Sequence, residues 1–162
     1  MSEEPTVRIL RNAEEAKAVM DGILDIAQMF FDEVPVQEYP AKAQGGFNRE
    51  AFANQFVAGF EQGNLVLIVM EEDGKVTGFI NGWIYPDRTT GALTAGEEYW
   101  YVDPKSRGEG ILLASAFIGE ARKRECKLLT FATSIDSYAE RLEKFYGYIG
   151  MKPIATIYMK EL

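Results

Sequence analysis

The residues best suited to chemistry gather in one stretch, Val102-Asp103-Pro104-Lys105-Ser106-Arg107-Gly108-Glu109-Gly110-Ile111-Leu112. A strand is expected to stop there, a short turn to carry two glycines, and a helix to begin. The first amides of a helix have no internal partner and sit at the positive end of its dipole. Gly108 and Gly110 have no side chain to hold a bulky anion away, so these amides can wrap a phosphate or pyrophosphate. Arg107 can add a charge-assisted contact or brace the loop. The plainer reading is that the two glycines only shape a tight turn. The stretch is not a dinucleotide fingerprint, because it lacks the third glycine and follows the fourth expected strand. It is not a Walker loop, because no Lys-Ser/Thr follows the glycines.

What the chain lacks narrows the chemistry further. Its 162 residues include no histidine and one cysteine. Without an imidazole, Ser-His-Asp and Cys-His mechanisms are excluded, and so are nearly all zinc sites. One cysteine cannot form an intramolecular disulfide. Proton transfer must run on carboxylates, tyrosine, serine, backbone amides and water. Cys126, at an expected helix end with no histidine to activate it, reads as structural. The formal charge of -8, from 17 basic and 25 acidic residues, argues against nucleic-acid and anionic-lipid partners. The N-terminus, Met1 to Pro5, has no apolar core of a signal peptide. The longest apolar run, Leu65 to Met70, is too short to span a membrane. A single cytoplasmic domain over residues 1–162 is the expectation.

The elements that must position the junction follow from periodicity. Val7 to Leu10 reads as a strand. Asn12 and Glu15 form a capping box for a helix over 13–31, whose apolar positions recur at helical spacing. Residues 32–47 read as a loop. Asn48 caps a second helix with the face Phe52, Phe56, Val57 and Phe60, stopped by Gly63. Asn64 to Glu71 is a strand apolar enough to be buried on both faces. Asp73-Gly74 is a hairpin turn into a strand over Lys75 to Tyr85. Gly78 and Gly82 within that strand imply twist or close backbone approach. A loop over 86–95, a strand over Glu97 to Val102, a helix over 109–125 and a strand over Lys127 to Thr133 follow. Ser137 and Glu140 form a second capping box, for a helix ending near Gly147. Ile154 to Met159 reads as a last strand. The order β-α-α-β-β-β-α-β-α-β predicts an α/β (α+β) fold, a mixed sheet flanked by helices.

With these elements in place, Val-x-Pro-x-x-Arg-Gly-x-Gly at residues 102–110 resembles the acyl-CoA pyrophosphate loop of the GNAT N-acyltransferases. The end Phe145-Tyr146-Gly147-Tyr148-Ile149-Gly150-Met151-Lys152-Pro153 is similar to that family's Leu-Tyr-x-x-x-Gly-Phe-Lys-Pro signature. The resemblance covers nearly the whole chain. It is nearest to small members encoded in phage and prophage genomes, which share a Glu-x-x-Trp-Tyr-Val-x-Pro strand and a Tyr-x-Lys-Glu-Leu end. Two departures stand out. Leu112 replaces a small residue of the loop, and Ser134-Ile135-Asp136-Ser137 lacks an asparagine common in the family.

The resemblance implies a mostly antiparallel sheet and direct transfer of an acyl group from acetyl-CoA or another acyl-CoA to an amine of a small molecule or peptide. It implies a CoA site made of Trp100, Tyr101, Val102, Arg107, Gly108, Glu109, Gly110, Ile111 and Leu112. Ser134 would touch the pantetheine arm or serve as a cap, and Tyr146 would donate a proton to the leaving thiolate. The amides around Trp100 to Val102 would polarise the thioester. Glu98 is the candidate base. Unbroken alternation puts it on one face with Trp100 and Val102 and points Glu97 the other way. The acceptor is expected between residues 30–48 and 86–95, with Tyr39, Phe47, Asp32, Glu33, Glu38, Tyr85 and Asp87 as the polar and aromatic supply. Phe30, Phe31, Phe52, Phe56 and Phe60 read as core. Catalytic weakness, with CoA or a protein partner merely bound, is the alternative, and a homodimer is left open.

Overall fold

The computed structural model describes residues 4–36, 39–133 and 139–160. In chain order it has β1 (Thr6–Leu10), α1 (Ala13–Glu33), a 3-10 turn (Pro40–Gln44), α2 (Arg49–Gln62), β2 (Leu65–Glu72), β3 (Lys75–Pro86) and β4 (Leu93–Val102). A second 3-10 turn (Pro104–Ser106), α3 (Gly110–Lys123), β5 (Leu128–Thr130) and α4 (Ala139–Tyr148) complete it. The sheet runs β1-β2-β3-β4-β5. The β1–β2, β2–β3 and β3–β4 pairs are antiparallel, and β5 joins β4 in parallel. This is the expected mixed sheet flanked by helices.

Local chemistry accounts for most of the boundaries. The Asn12 side chain accepts from the Glu15 amide at 2.9 Å, and the Glu15 carboxylate accepts from the Arg11 amide at 2.8 Å. Asn48 accepts from the Ala51 amide, and Gly63 ends α2 in the left-handed region at φ 72°. Asp73 and Gly74 both take positive φ, 49° and 73°, as a two-residue hairpin turn requires. Every residue from Leu65 to Met70 is buried, because helices cover both faces of β2. Leu67, Val69, Phe79 and Tyr101 pack with Ile23 and Phe56 on the α1/α2 side. Val66, Ile68, Ile80 and Val102 pack with Leu113 and Phe117 on the α3 side. Glu120, buried among these, is held by Arg11 at 2.7 Å and Arg124 at 3.0 Å.

The structure departs from the sequence expectation in three places. β4 begins at Leu93, so the loop expected over 86–95 shrinks to 87–92. It is closed by Asp87, whose Oδ1 accepts from the Thr89 and Thr90 amides and the Thr90 hydroxyl. β5 is confined to Leu128–Thr130, which pair with Thr94–Gly96. The strand expected at Ile154–Met159 is not formed, and Ile154, Ile157 and Tyr158 are 84%, 83% and 90% exposed. The edge such a strand would join is β5, only three residues long.

The feature with most consequence is a bulge. Asn81 pairs with Tyr99, but Gly82 pairs with Glu97, which leaves Glu98 as the extra residue of β4. Gly82 is where the backbone needs space: a Cβ there would lie 2.2 Å from the Gly96 carbonyl oxygen and 2.6 Å from the Phe117 ring. Gly82→Ala is therefore expected to destabilise the fold by about 3 kcal/mol, the upper range of overpacking. Urea unfolding measures this, and a loss below about 1 kcal/mol would remove the role given to Gly82.

Candidate active site

The glycine loop forms at the expected junction. Asp103 Oδ1 accepts from the Lys105 amide at 2.9 Å, and the Ser106 hydroxyl donates to Glu72 at 2.8 Å, tying the turn to β2. Gly108 has φ 121°, a conformation that favours glycine. Gly110 lies close to β4: a Cβ there would meet the Val102 side chain at 3.3 Å and the Trp100 indole nitrogen at 3.6 Å. No side chain caps α3, so an anion would meet its first amides without displacing a carboxylate or hydroxyl. Ile111 and Leu112 stand on the surface.

Arg107 braces the loop. One of its terminal nitrogens lies 2.8 and 2.7 Å from the two carboxylate oxygens of Glu33 and 3.2 Å from the Tyr101 hydroxyl. Its guanidinium sits 5.7 Å from the centre of the Tyr101 ring. The Tyr101 hydroxyl also donates to Glu33. Burial holds that phenol above its ordinary range, and the hydrogen bond and charge of Glu33 add to the effect against the opposing pull of Arg107.

The bulge overturns the expected placement of the two glutamates. Glu98 reaches Asn81 and Trp83, whose side chain and indole nitrogens donate to its carboxylate at 3.0 and 2.7 Å. Trp83 packs on the α1/α2 side, so Glu98 does not share a face with Trp100 and Val102. Glu97, paired with Gly82, takes the opposite face from Trp83, and its carboxylate accepts from the Ala132 amide, just beyond β5, at 3.1 Å. One inserted residue is enough to exchange the faces.

Tyr146 completes this corner. Its hydroxyl donates to the Ala132 carbonyl at 2.9 Å. Its ring lies 5.6 Å from Phe131, and Trp100 packs 5.9 Å from both Phe131 and Phe145. Glu97 and Tyr146 are thus anchored on the amide and carbonyl of one residue. Burial lifts the Glu97 carboxyl to about 7, with the charge of Glu98 adding to it and the Ala132 amide opposing it. Burial, then the charge of Glu97, keeps the Tyr146 phenol well above its ordinary range. Beyond Gly96, β4 has no ladder with β5, so the two strands part beside this corner.

A cavity of about 660 Å³ opens on the α1/α2 side and reaches the gap. Of the residues expected to meet an acceptor, Glu33, Tyr39 and Phe47 line it, whereas Tyr85 and Asp87 do not. Asp32 accepts a hydrogen bond from Gln28 instead, and Glu38 lies outside the described residues, as do Ser134 and Ser137. Phe30, Phe31 and Phe52, read from their spacing as core, line the cavity as well as packing inward. Tyr99, missed in the sequence, lines it too, and burial pushes its phenol up to about 12. Ala132 carried no signal at all, since it acts through its backbone. Tyr148 is 89% exposed and faces away. Burial raises the Cys126 thiol, in keeping with a structural role. Among the described residues no group of acidic or cysteine side chains is placed to hold a metal ion, and no helix is long and apolar enough to cross a membrane.

Comparison with known proteins bears on the family and the fold. The model of the Acetyltransferase (GNAT) family matches residues 23–151. No curated protein matches in sequence. Among solved structures, an acetyltransferase from Trypanosoma brucei is 17% identical with a TM-score of 0.70, over 98% of this chain and 100% of its own. Glucosamine-6-phosphate N-acetyltransferase from Arabidopsis thaliana is 19% identical with a TM-score of 0.70, over 98% and 99%. An aminoglycoside N-acetyltransferase in complex with CoA is 16% identical with a TM-score of 0.69, over 98% and 95%. At these identities the likeness is one of fold.

The raised Glu97 carboxyl has a consequence for stability. Its folded value of about 7 exceeds the ordinary 4.5, so the fold favours the neutral form. The stability this contributes is fully present below the lower value and is lost as the pH rises through the upper one. The thermal midpoint of the wild type is expected to fall across that window relative to Glu97→Gln. A carboxyl titration of Glu97 by carbon-13 NMR with a midpoint below about 5.5 would contradict the assignment.

Proposed function

The chain belongs to the GNAT acetyltransferase family, and from that premise we propose that it transfers an acyl group, most readily acetyl, from an acyl-CoA directly to a primary amine within a ternary complex. The observation that carries the proposal is the corner at Ala132. A carboxyl near neutrality and a protonated phenol are fixed on the amide and carbonyl of one residue beside the gap between β4 and β5. This is the pairing an amine-to-thioester transfer needs when no histidine is present.

The residues at the glycine loop fit a CoA pyrophosphate. The uncapped start of α3 offers amides, and the contact between Gly110 and Val102 brings that helix end against β4. In this reading Arg107 orients the loop from its seat on Glu33, while Gly108, Glu109, Gly110, Ile111 and Leu112 contribute backbone. Leu112 turns outward and leaves the amides accessible. The free edge of β4 over Trp100, Tyr101 and Val102 would pair with the peptide-like pantetheine arm and polarise the carbonyl, and Ser134 would stand near that arm. Acyl-CoA supplies the acyl group already activated, so the protein need provide no nucleophile.

The remaining work is proton transfer. Glu98, held by two neutral donors, receives the incoming ammonium from the α1/α2 side. Of the two adjacent carboxylates, Glu97 has the proton affinity of a base operating near neutral pH. Tyr146, kept protonated by its surroundings, gives its proton to the leaving thiolate. The reading takes in a cytoplasmic setting, a homodimer and kinship to phage- and prophage-encoded members, all resting on sequence alone.

Acetyl-CoA at about one hundred times its Kd is expected to stabilise the protein by about 2.7 kcal/mol, or roughly 5–10 °C in Tm. Tyr146→Phe is expected to lower kcat about 100-fold while keeping that thermal shift. Glu97→Gln should abolish a rise in kcat/KM centred near pH 7, whereas Glu98→Gln should chiefly raise the acceptor KM. No thermal shift with acetyl-CoA would sink the proposal. If Glu98→Gln rather than Glu97→Gln removed the pH limb, the base would be Glu98. A full shift with no turnover on any amine would leave a binding module.

A further inference from the structure

The acceptor cavity has a definite chemical character. Its walls are a run of touching aromatic rings. Phe31 lies 5.7 Å from Phe47, Phe47 lies 5.2 Å from Phe52, and Phe52 lies 5.1 Å from Tyr99. Phe30 closes on Tyr99 edge-on at 6.3 Å. Such faces take up flat apolar groups, and their negative quadrupole favours a nearby cation.

The charges are one-sided. Three carboxylates, Glu33, Glu97 and Glu98, line the cavity, and no lysine or arginine is among its described lining residues. Glu33 is engaged by Arg107 and Tyr101. Lys42, close by, donates to the Asp32 and Val34 carbonyls at the end of α1 and lies over the Phe31 ring. Glu98 is bonded by an amide and an indole, both uncharged, so one ammonium can be matched there. A phosphate or carboxylate on the same acceptor would enter an acidic cavity with no cation among its described lining residues, an arrangement that costs several-fold to many-fold in affinity. A polyamine with several charges spread over hydroxylated rings would bury most of them against aromatic carbon. The cavity volume, about 660 Å³, suits a small single molecule.

We infer that the acceptor is a monocationic primary amine carried on a flat apolar body, of the arylalkylamine kind. Its ring lies among Phe31, Phe47, Phe52 and Tyr99, and its ammonium meets Glu98. Calling this ligand the acceptor rests on the acyltransfer proposal, but its binding does not.

The test therefore begins without acyl-CoA. Calorimetry with 2-phenylethylamine, 2-phenylethanol, glucosamine 6-phosphate and kanamycin is expected to show the amine binding at least about tenfold tighter than each of the others, as one charge-assisted hydrogen bond allows. Glu98→Gln should bring amine and alcohol within about twofold of each other, and Phe47→Leu should weaken the amine about fivefold. Circular dichroism confirms that both variants are folded. Tighter binding of the phosphosugar or kanamycin, or equal binding of the alcohol by the wild type, overturns the inference. Acetyl-CoA is then added. Binding of the amine without acetyl transfer would refute the acyltransfer reading and leave the ligand class standing. Transfer to the phosphosugar in preference to the amine would do the reverse.

Discussion

The site depends on one residue too many in β4. A strand paired without interruption to β3 would send Glu98 toward α3 with Trp100 and Val102. The extra residue instead sends Glu98 to the α1/α2 side and Glu97 to Ala132. Gly82 makes this possible, because any side chain there would meet the Gly96 carbonyl and the Phe117 ring. The bulge also falls where β4 stops pairing with β5, just past Gly96. The change of face and the parting of the strands thus occur within a few residues, which brings both carboxylates to the mouth of the gap. Bulges commonly re-aim side chains in this way and end a ladder.

A second constraint joins the glycine loop to the cavity wall. Arg107 belongs to the loop, Glu33 to the last turn of α1, and Tyr101 to β4, and they share one hydrogen-bonded cluster. The ion pair alone, about one-third exposed at each side chain, is worth little in water. Its effect is geometric. The Tyr101 ring is fixed between Arg107 and Phe30, so the end of α1 and the loop cannot shift independently. Anything that moves Arg107 pulls on Glu33, and with it on the wall of the cavity. In physical terms this is a single set of contacts with the glycine loop at one end and the cavity wall at the other.

Much of the fold was legible because local rules and tertiary packing agree. The Asn12 and Asn48 caps, the Gly63 stop, the Asp73-Gly74 turn and the doubly buried run of β2 all form as their residue types require. The glycine loop and Tyr146 were legible as motifs. The faces of Glu97 and Glu98 were not, because period-two alternation assumes an unbroken ladder. The reason for the break, Phe117 and Gly96 crowding Gly82, lies in other elements. Ala132 was invisible because its amide and carbonyl do its work, and every residue has those. Phe30, Phe52, Phe56 and Phe60 pack on the core as their spacing implies, but the cavity was not legible in that spacing. Helical spacing identifies an inward face, but it cannot tell how much of that face meets protein and how much lines a cavity. Ile154 to Met159 alternates like a strand, yet pairing also needs a neighbour long enough to receive it.

The two adjacent carboxylates explain how a protein with no histidine can hold a titratable side chain near neutrality. Burial penalises the charge of Glu97, and the charge of Glu98 beside it adds to the penalty, which together lift its carboxyl to about 7. Among the described residues no lysine or arginine pairs with either. An ammonium arriving at Glu98 would supply the missing positive charge. It would lower the proton affinity of Glu97 and shift it toward the ionised, basic form as the acceptor docks. Once the amine gave up its proton, the positive charge would be gone and Glu97 would hold that proton readily. An imidazole could not replace this arrangement without loss. A neutral imidazole in the same pocket would bring no charge to attract an ammonium, whereas a carboxylate would.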